Sequence, residues 1–149
     1  MKKIIFRIVT VVLIIAMAAT IIVLTVNQQK TVDRQYSWLR SELESTVYHI
    51  NSYKNGDDLE YMYIVSTLHS ALSFSLMIEG DDDMDALSLQ LNRAYGNLTR
   101  YPDIAKEHLA RLNDILWQYT QEGSPGATEA ELCSFNNVID AAISANSKN

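Results

Sequence analysis

An acidic run, EGDDDMD, contains residues whose spacing resembles that of metal ligands. Asp81, Asp83 and Asp85 occupy alternate positions, as the first ligands of an EF-hand calcium loop do. The rest of that motif is missing, because Ala86 stands where the loop needs glycine and Asn92 where it needs a bidentate acid. Carboxylates are also favoured at a helix N-terminus, where backbone N–H groups are exposed. We therefore expect the run to begin a helix, with weak divalent binding as the alternative.

The three histidines, His49, His69 and His108, lie far apart, and none has a ligand partner three or four residues away. The sequence therefore lacks a zinc signature of the HExxH type. His69 falls in a largely apolar segment, where we expect a hydrogen-bonded core histidine. The same segment holds Ser66, Ser70, Ser73 and Ser75. No G-x-S-x-G elbow accompanies these serines, so we expect them to serve helix packing or to face water.

Cys133 is the single cysteine, which excludes a disulfide within the chain, and we expect it to be a small buried apolar residue, with pairing between two chains as the alternative. Asn97-Leu98-Thr99 matches the N-glycosylation sequon, which matters only in a eukaryotic secretory pathway. The sequence has no phosphate-binding loop, Cys-x-x-Cys pair or dinucleotide motif. We therefore assign no catalytic, cofactor-binding or metal-binding residue and do not expect an enzyme.

Charge is divided unevenly along the chain. The first 26 residues carry three basic groups and no acid, whereas residues 27–149 carry 9 basic and 18 acidic groups, a net charge of −9. Such an acidic surface repels phosphate backbones, so nucleic acid is not an expected partner. It also gives no reason to expect docking on anionic lipid headgroups.

Residues 8–26 form an uninterrupted run of 19 uncharged and mostly apolar residues. At about 1.5 Å per residue, a helix of this length spans about the 30 Å hydrocarbon core of a bilayer. Ala16-Met17-Ala18 has the small-x-small form of a signal-peptidase site, and cleavage there would leave Ala19 as the N-terminus. The apolar run continues past that site to Val26, whereas a cleavable signal ends its apolar region just before the cut. We therefore expect an uncleaved transmembrane anchor.

The basic residues beside the anchor predict its orientation. Lys2, Lys3 and Arg7 directly precede the apolar run, as in the n-region of an export signal, although Lys30 and Arg34 follow it closely. We expect a single-pass protein of the cell membrane, with its N-terminus cytoplasmic and the remainder of the chain extracytoplasmic.

A second uncharged run covers the 18 residues 61–78. Serines, a threonine and a histidine dilute its hydrophobicity, and no basic residue at its acidic far end would hold that end inside. We therefore expect a largely buried core helix and not a second membrane span.

Five helical segments are expected after the anchor, because apolar residues recur at alternating spacings of three and four. Their approximate bounds are 28–54, 57–80, 82–101, 105–122 and 128–143. No breaking residue separates the anchor from the first segment, so the two are able to form one continuous helix.

The ends of these segments follow from local chemistry. Asp57 is expected to cap the second helix and Gly80 to end it. Pro102 predicts a break between the third and fourth segments, with a single kinked helix as the alternative. Gly123 is expected to end the fourth segment. Pro125-Gly126 suits a type II turn, and Thr128 is expected to begin a capping box for the last helix.

The predicted fold is therefore all-α, with one N-terminal transmembrane helix followed by an antiparallel bundle of four to five helices. Its regions are a basic tail at 1–7, the anchor at 8–26, the bundle at 27–146 and a frayed polar tail at 147–149.

We expect a membrane-anchored interaction or accessory module of the cell envelope. Its partners are the lipid bilayer, through residues 8–26, and either another envelope protein or a second copy of the chain. Val32 and Tyr36 precede most of the bundle and are therefore expected to have few neighbours within the chain. We predict these two residues as the interaction site.

The order of anchor, long helix and helical bundle resembles that of the extracytoplasmic sensor domains of bacterial receptors. This resemblance of layout implies a ligand-sensing bundle as the alternative function. Those receptors return through a second span to a cytoplasmic output domain, which this sequence does not show, so a sensor here needs a separate signalling partner. A membrane-tethered hydrolase is the third alternative, although no nucleophile–base pair is identifiable.

Overall fold

The structure is a computed structural model that describes the backbone of residues 2–147 and the side chains of residues 13–147. This part of the chain is all-helical, without strands, as the hydrophobic periodicity predicts. The six helices are α1 (Lys2–Ser52), α2 (Asp58–Ser75), α3 (Asp82–Arg100), α4 (Pro102–Glu107), α5 (Leu109–Glu122) and α6 (Pro125–Asn146). The chain divides into two compact units, Met1–Arg34 and Gln35–Asn149.

The first unit contains the apolar part of α1. Large apolar side chains between residues 13 and 24 are more than half exposed. The Thr20 and Thr25 hydroxyls donate at 2.9 Å to the carbonyls of Ala16 and Ile21, which satisfies them within the helix, as a hydrocarbon environment requires. Within the described residues, α1 alone is long and apolar enough to cross a membrane. The side chains of the basic tail at 1–7, and residues 148–149 of the polar tail, lie outside the described part.

The second unit is a set of packed helices in which α3 contacts both α2 and α6. Successive helices are neighbours because their connections are short, whereas the pairing of α3 with α6 joins segments far apart in sequence. Apolar side chains with no exposed surface form the core, among them Leu39, Leu43, Leu68, Leu91, Leu112 and Phe135.

Several helix ends lie where local chemistry predicts them. Asp57 caps α2, because its carboxylate accepts the backbone N–H of Glu60 at 3.0 Å. Helices α3 and α4 are separated at Tyr101, so Pro102 does mark a break. Gly123 ends α5 with a φ of +63°, a left-handed conformation that side chains disfavour.

The predicted end of α2 at Gly80 is wrong, because the helix ends at Ser75. The next residues form tighter turns, in which the N–H groups of Met77 and Ile78 donate to carbonyls only three residues earlier. This tightening accompanies the burial of Ile78, which is 2% exposed. The acidic run then begins α3 at Asp82, as expected.

Two further boundaries differ from the predictions. Helices α4 and α5 are separated at His108, whose N–H donates to Ala105 three residues earlier, without any glycine or proline to mark the site. Pro125 is the first residue of α6 and not part of a type II turn, because its fixed φ and missing N–H suit that position. Thr128 therefore lies inside α6 and donates to the Ser124 carbonyl, so the predicted capping box is wrong.

Candidate functional site

Two cavities lie along the seam between α2 and α3. The larger, of about 590 Å³, is lined by the first part of α2, the last turns of α3, and α4. The smaller, of about 340 Å³, is lined by the end of α2 and the first part of α3. On α2 and its C-cap the lining positions are 58, 61, 62, 65, 66, 69, 72 and 76, and six of them (58, 62, 65, 69, 72 and 76) are spaced by alternating fours and threes. This spacing places them on one helix face, and we name the surface along the two cavities the α2–α3 groove.

Large apolar side chains on this groove face water. Met62, Leu76 and Leu89 are 65%, 66% and 59% exposed. Other apolar side chains of α2 and α3 are fully buried, so these helices carry more apolar side chains than the core contains. Large apolar side chains exposed along a groove are typical of binding surfaces in folded domains.

One end of the groove carries a charged pair. Lys106 Nζ lies 3.4 Å from Asp58 Oδ1 and 4.8 Å from the centroid of the Tyr61 ring. The Tyr61 hydroxyl donates to the Leu98 carbonyl at 2.8 Å, and burial raises the pKa of this phenol, so it remains a neutral donor. The Asp58 side chain is 88% exposed and that of Lys106 only 22%, so the carboxylate is the more accessible charge.

His69 lies on the groove, so its prediction as a core histidine is wrong. Its side chain is exposed, and its ring centroid lies 4.8 Å from that of Tyr95 on α3. Leu68, Ala71 and Leu72 define the buried face of this part of α2, and His69 lies to one side of that face, next to the α3 residue Tyr95.

Three serines of α2 contact the helix backbone or line the groove. Ser73 and Ser75 donate to the backbone carbonyls of His69 and Leu72, while Ser66 lines the groove. In the side chains that the structure describes, no hydrogen bond joins a serine hydroxyl to a histidine ring. The expectation that the chain is not an enzyme stays a prediction.

The acidic run acts as a helix cap. Asp81 Oδ1 accepts the backbone N–H groups of Asp83 and Met84 at 3.0 and 3.1 Å. Its Oδ2 accepts the Tyr36 hydroxyl at 2.5 Å. Residues 13–147 contain no group of three side chains arranged to hold a metal ion.

The other two histidines occupy separate surroundings. His49 Nδ1 lies 2.6 Å from Glu60 Oε1, and the His49 ring stacks on Tyr63 with centroids 5.1 Å apart. His108 lies at the break between α4 and α5. The three histidines therefore do not converge on one site.

Three buried amides join α3 to α6. Asn136 Nδ2 donates to the Gln90 carbonyl and side-chain oxygens at 3.0 and 3.2 Å, and Asn136 Oδ1 accepts from Asn97 at 3.2 Å. The sequon asparagine is thus only 8% exposed, as part of the helix interface. Cys133 is half-buried, less than predicted, and its Sγ lies 3.8 Å from Asn137 Nδ2.

The residues predicted as the interaction site do not lie on the groove. Val32 is half-buried, and Tyr36 packs against the core while donating to Asp81. Burial, followed by this hydrogen bond, raises the pKa of Tyr36. Tyr36 thus has partners within the chain, and a role of either residue in assembly stays a prediction.

Sequence reasoning missed the groove, although α2 carried a signal for it. Its run of uncharged residues is longer than one buried helix face requires, and the surplus appears at Met62, Leu76 and Met77. The prediction of a largely buried core helix did not distinguish this second apolar surface from the buried one.

Comparison of the chain with protein-family models, curated proteins and solved structures found no match.

Proposed function

We propose that this protein is a membrane-anchored interaction module that presents the α2–α3 groove to another protein outside the cytoplasm. The observation that carries this proposal is the exposure of Met62, Leu76 and Leu89 along a groove between two helices. Burying such side chains against a partner removes apolar surface from water, which favours association.

The membrane anchor and its orientation belong to this proposal. The exposed apolar surface of α1 supports membrane insertion. The basic residues Lys2, Lys3 and Arg7 support a cytoplasmic N-terminus.

Cysteine labelling on intact cells tests this orientation. In a Cys133→Ala background, the thiol introduced by Ser147→Cys should react with an impermeant maleimide, after permeabilisation of the outer membrane in cells that have one. Labelling that requires lysis of the inner membrane would place the packed helices in the cytoplasm.

Site-specific photo-crosslinking tests whether the groove contacts another protein while the full chain is anchored in its membrane. A photoreactive residue replaces Met62 in the full chain, and the matched control replaces Trp117 on α5, which is 52% exposed and lines neither groove cavity. We expect a discrete protein adduct from position 62 that is lost when Leu76→Asp is added. The same adducts from both positions, or adducts unaffected by Leu76→Asp, would contradict the proposal.

Ligand sensing is the second candidate function, favoured by the size of the larger cavity. Its volume of about 590 Å³ falls in the range of small-molecule sites. His69 and Tyr95 would offer ring faces to a ligand. Mass spectrometry of the protein purified from its own membranes tests this candidate, which predicts a small molecule that Met62→Asp removes.

A further inference from the structure

We propose that the occupant of the α2–α3 groove is an amphipathic helix of a partner protein with basic residues at both ends of its apolar stripe. This inference rests on the proposed function and adds the chemistry of the partner.

The dimensions of the groove fit a helix. The lining positions follow α2 along its full length of 18 residues, which corresponds to about 27 Å. An α-helix laid in such a groove presents anchors at spacings of three and four residues, the same spacing as six of the eight lining positions on α2 and its C-cap. Met62 lines the larger cavity and Leu89 the smaller one, so each cavity offers an exposed apolar side chain to these anchors.

The accessible charge at both ends of the groove is negative. Asp58 marks one end and exposed Asp85 the other, as the lining residues of the two cavities show. Lys106 is the one lysine or arginine among those lining residues, and its ammonium group is occupied by Asp58 and the Tyr61 ring. A partner with lysine or arginine at its ends would pair with the two carboxylates.

Charge also argues against two other occupants of the groove, a second copy of the chain and an anionic membrane surface. A second copy of the groove would bring the same two acidic ends together, and residues 27–149 as a whole carry a net charge of −9. An anionic membrane surface would be repelled for the same reason. A basic amphipathic helix combines apolar and charge complementarity.

Peptide binding to the full chain tests this inference. The protein is placed in nanodiscs of zwitterionic phosphatidylcholine, and empty nanodiscs provide the baseline. The probes are two fluorescent helical peptides of 18 residues, the length of α2, with identical leucine stripes and either lysine or glutamate flanks. A third peptide has the lysine composition in scrambled order. Fluorescence anisotropy measures their binding.

We expect the lysine-flanked peptide to bind about tenfold more tightly than the glutamate-flanked one. Combining Asp58→Asn with Asp85→Asn should remove most of that preference. Leu89→Ala should weaken binding about tenfold, whereas the matched control Trp117→Ala should change it less than about twofold. Circular dichroism confirms that each of these surface variants retains its helices.

The opposite outcomes separate this inference from the proposed function. Equal or tighter binding of the glutamate-flanked peptide would overturn the assigned charge while leaving the groove as a docking site. Binding of the scrambled peptide as tightly as the ordered one, or no binding by any peptide, would overturn the helix assignment. A disulfide-linked dimer through Met62→Cys, with Cys133→Ala as background, would assign the groove to a second copy. The adducts at position 62 test the proposed function independently.

Discussion

The contact between Tyr36 and Asp81 gives a prediction whose magnitude follows from the structure. Asp81 makes two kinds of hydrogen bond, since one oxygen caps α3 and the other accepts the Tyr36 hydroxyl at 2.5 Å. Tyr36→Phe should lower the free energy of unfolding by about 1.5 to 3 kcal/mol, the usual contribution of a hydrogen bond to a charged group. Asp81 is partly exposed, so solvent screens its charge, and we therefore expect a cost at the lower end of this range.

Two substitutions at Asp81 separate the cap from the contact with Tyr36. Asp81→Ser retains a capping oxygen but is too short to reach the phenol, so its cost should match that of Tyr36→Phe. Asp81→Ala removes both functions and should cost about 1 kcal/mol more. In a chain that already carries Tyr36→Phe, Asp81→Ser should cost less than about 0.5 kcal/mol.

Urea unfolding of the full chain in a mild detergent measures these energies. Trp38 and Trp117 report the transition by fluorescence, because both lie in the unit of packed helices. Equal costs of Asp81→Ser with and without Tyr36→Phe would refute an energetic coupling between the two residues. A cost of Tyr36→Phe below about 0.5 kcal/mol would show that water replaces the hydrogen bond without loss.

The same pair predicts a pH dependence. The hydrogen bond from Tyr36, followed by that from the Met84 N–H, lowers the pKa of Asp81 below 3.8. A lowered folded pKa stabilises the protein at pH values above 3.8, and this stabilisation is lost as the pH falls through the folded pKa. The cost of Tyr36→Phe should therefore be constant near neutral pH and decrease in acid. A cost that is unchanged well below pH 3.8 would contradict the assignment of the charge to Asp81.

Three further outcomes are expected. Leu112 has no exposed surface, so Leu112→Ala should lower the free energy of unfolding by about 2 to 5 kcal/mol in urea; a cost below about 1 kcal/mol would contradict its core position. Burial raises the pKa of Tyr119 to about 12, so stabilisation present below pH 10.0 should be lost as the pH approaches 12. An alkaline titration followed by circular dichroism measures this loss, and full stability at pH 12 would be the contrary result. The protein should remain in the membrane fraction after carbonate washing, and a mature N-terminus at Ala19 would disprove the uncleaved anchor.

Sequence reasoning predicted the features that depend on a few neighbouring residues. Asp57 caps α2 and Gly123 ends α5. Both features depend only on residues next to the helix end, because a cap bonds to a nearby backbone N–H and glycine adopts the left-handed conformation at its own position. Pro125 shows where this reasoning fails, since the same residue suits either a turn or the first position of a helix.

The groove could not be predicted, because exposure depends on which helices become neighbours. His69 and Met62 lie in an apolar segment but face water, since α3 covers only one side of α2. The partner of the other α3 surface is α6, whose Asn136 lies 46 residues from Gln90 in the chain. No local pattern identifies a pairing over that separation.

The buried amides between α3 and α6 also constrain the order in which the helices pack during synthesis. Gln90 emerges from the ribosome 46 residues before Asn136, its hydrogen-bonding partner. At about 5 to 20 residues per second, the delay is about 2 to 9 s. During this time the side of α3 that carries Gln90 and Asn97 has no helix to cover it, and water must satisfy its amides. Docking of α6 is therefore a late step of folding, and a nascent chain stalled before Asn136 would be held in an incomplete, protease-sensitive state.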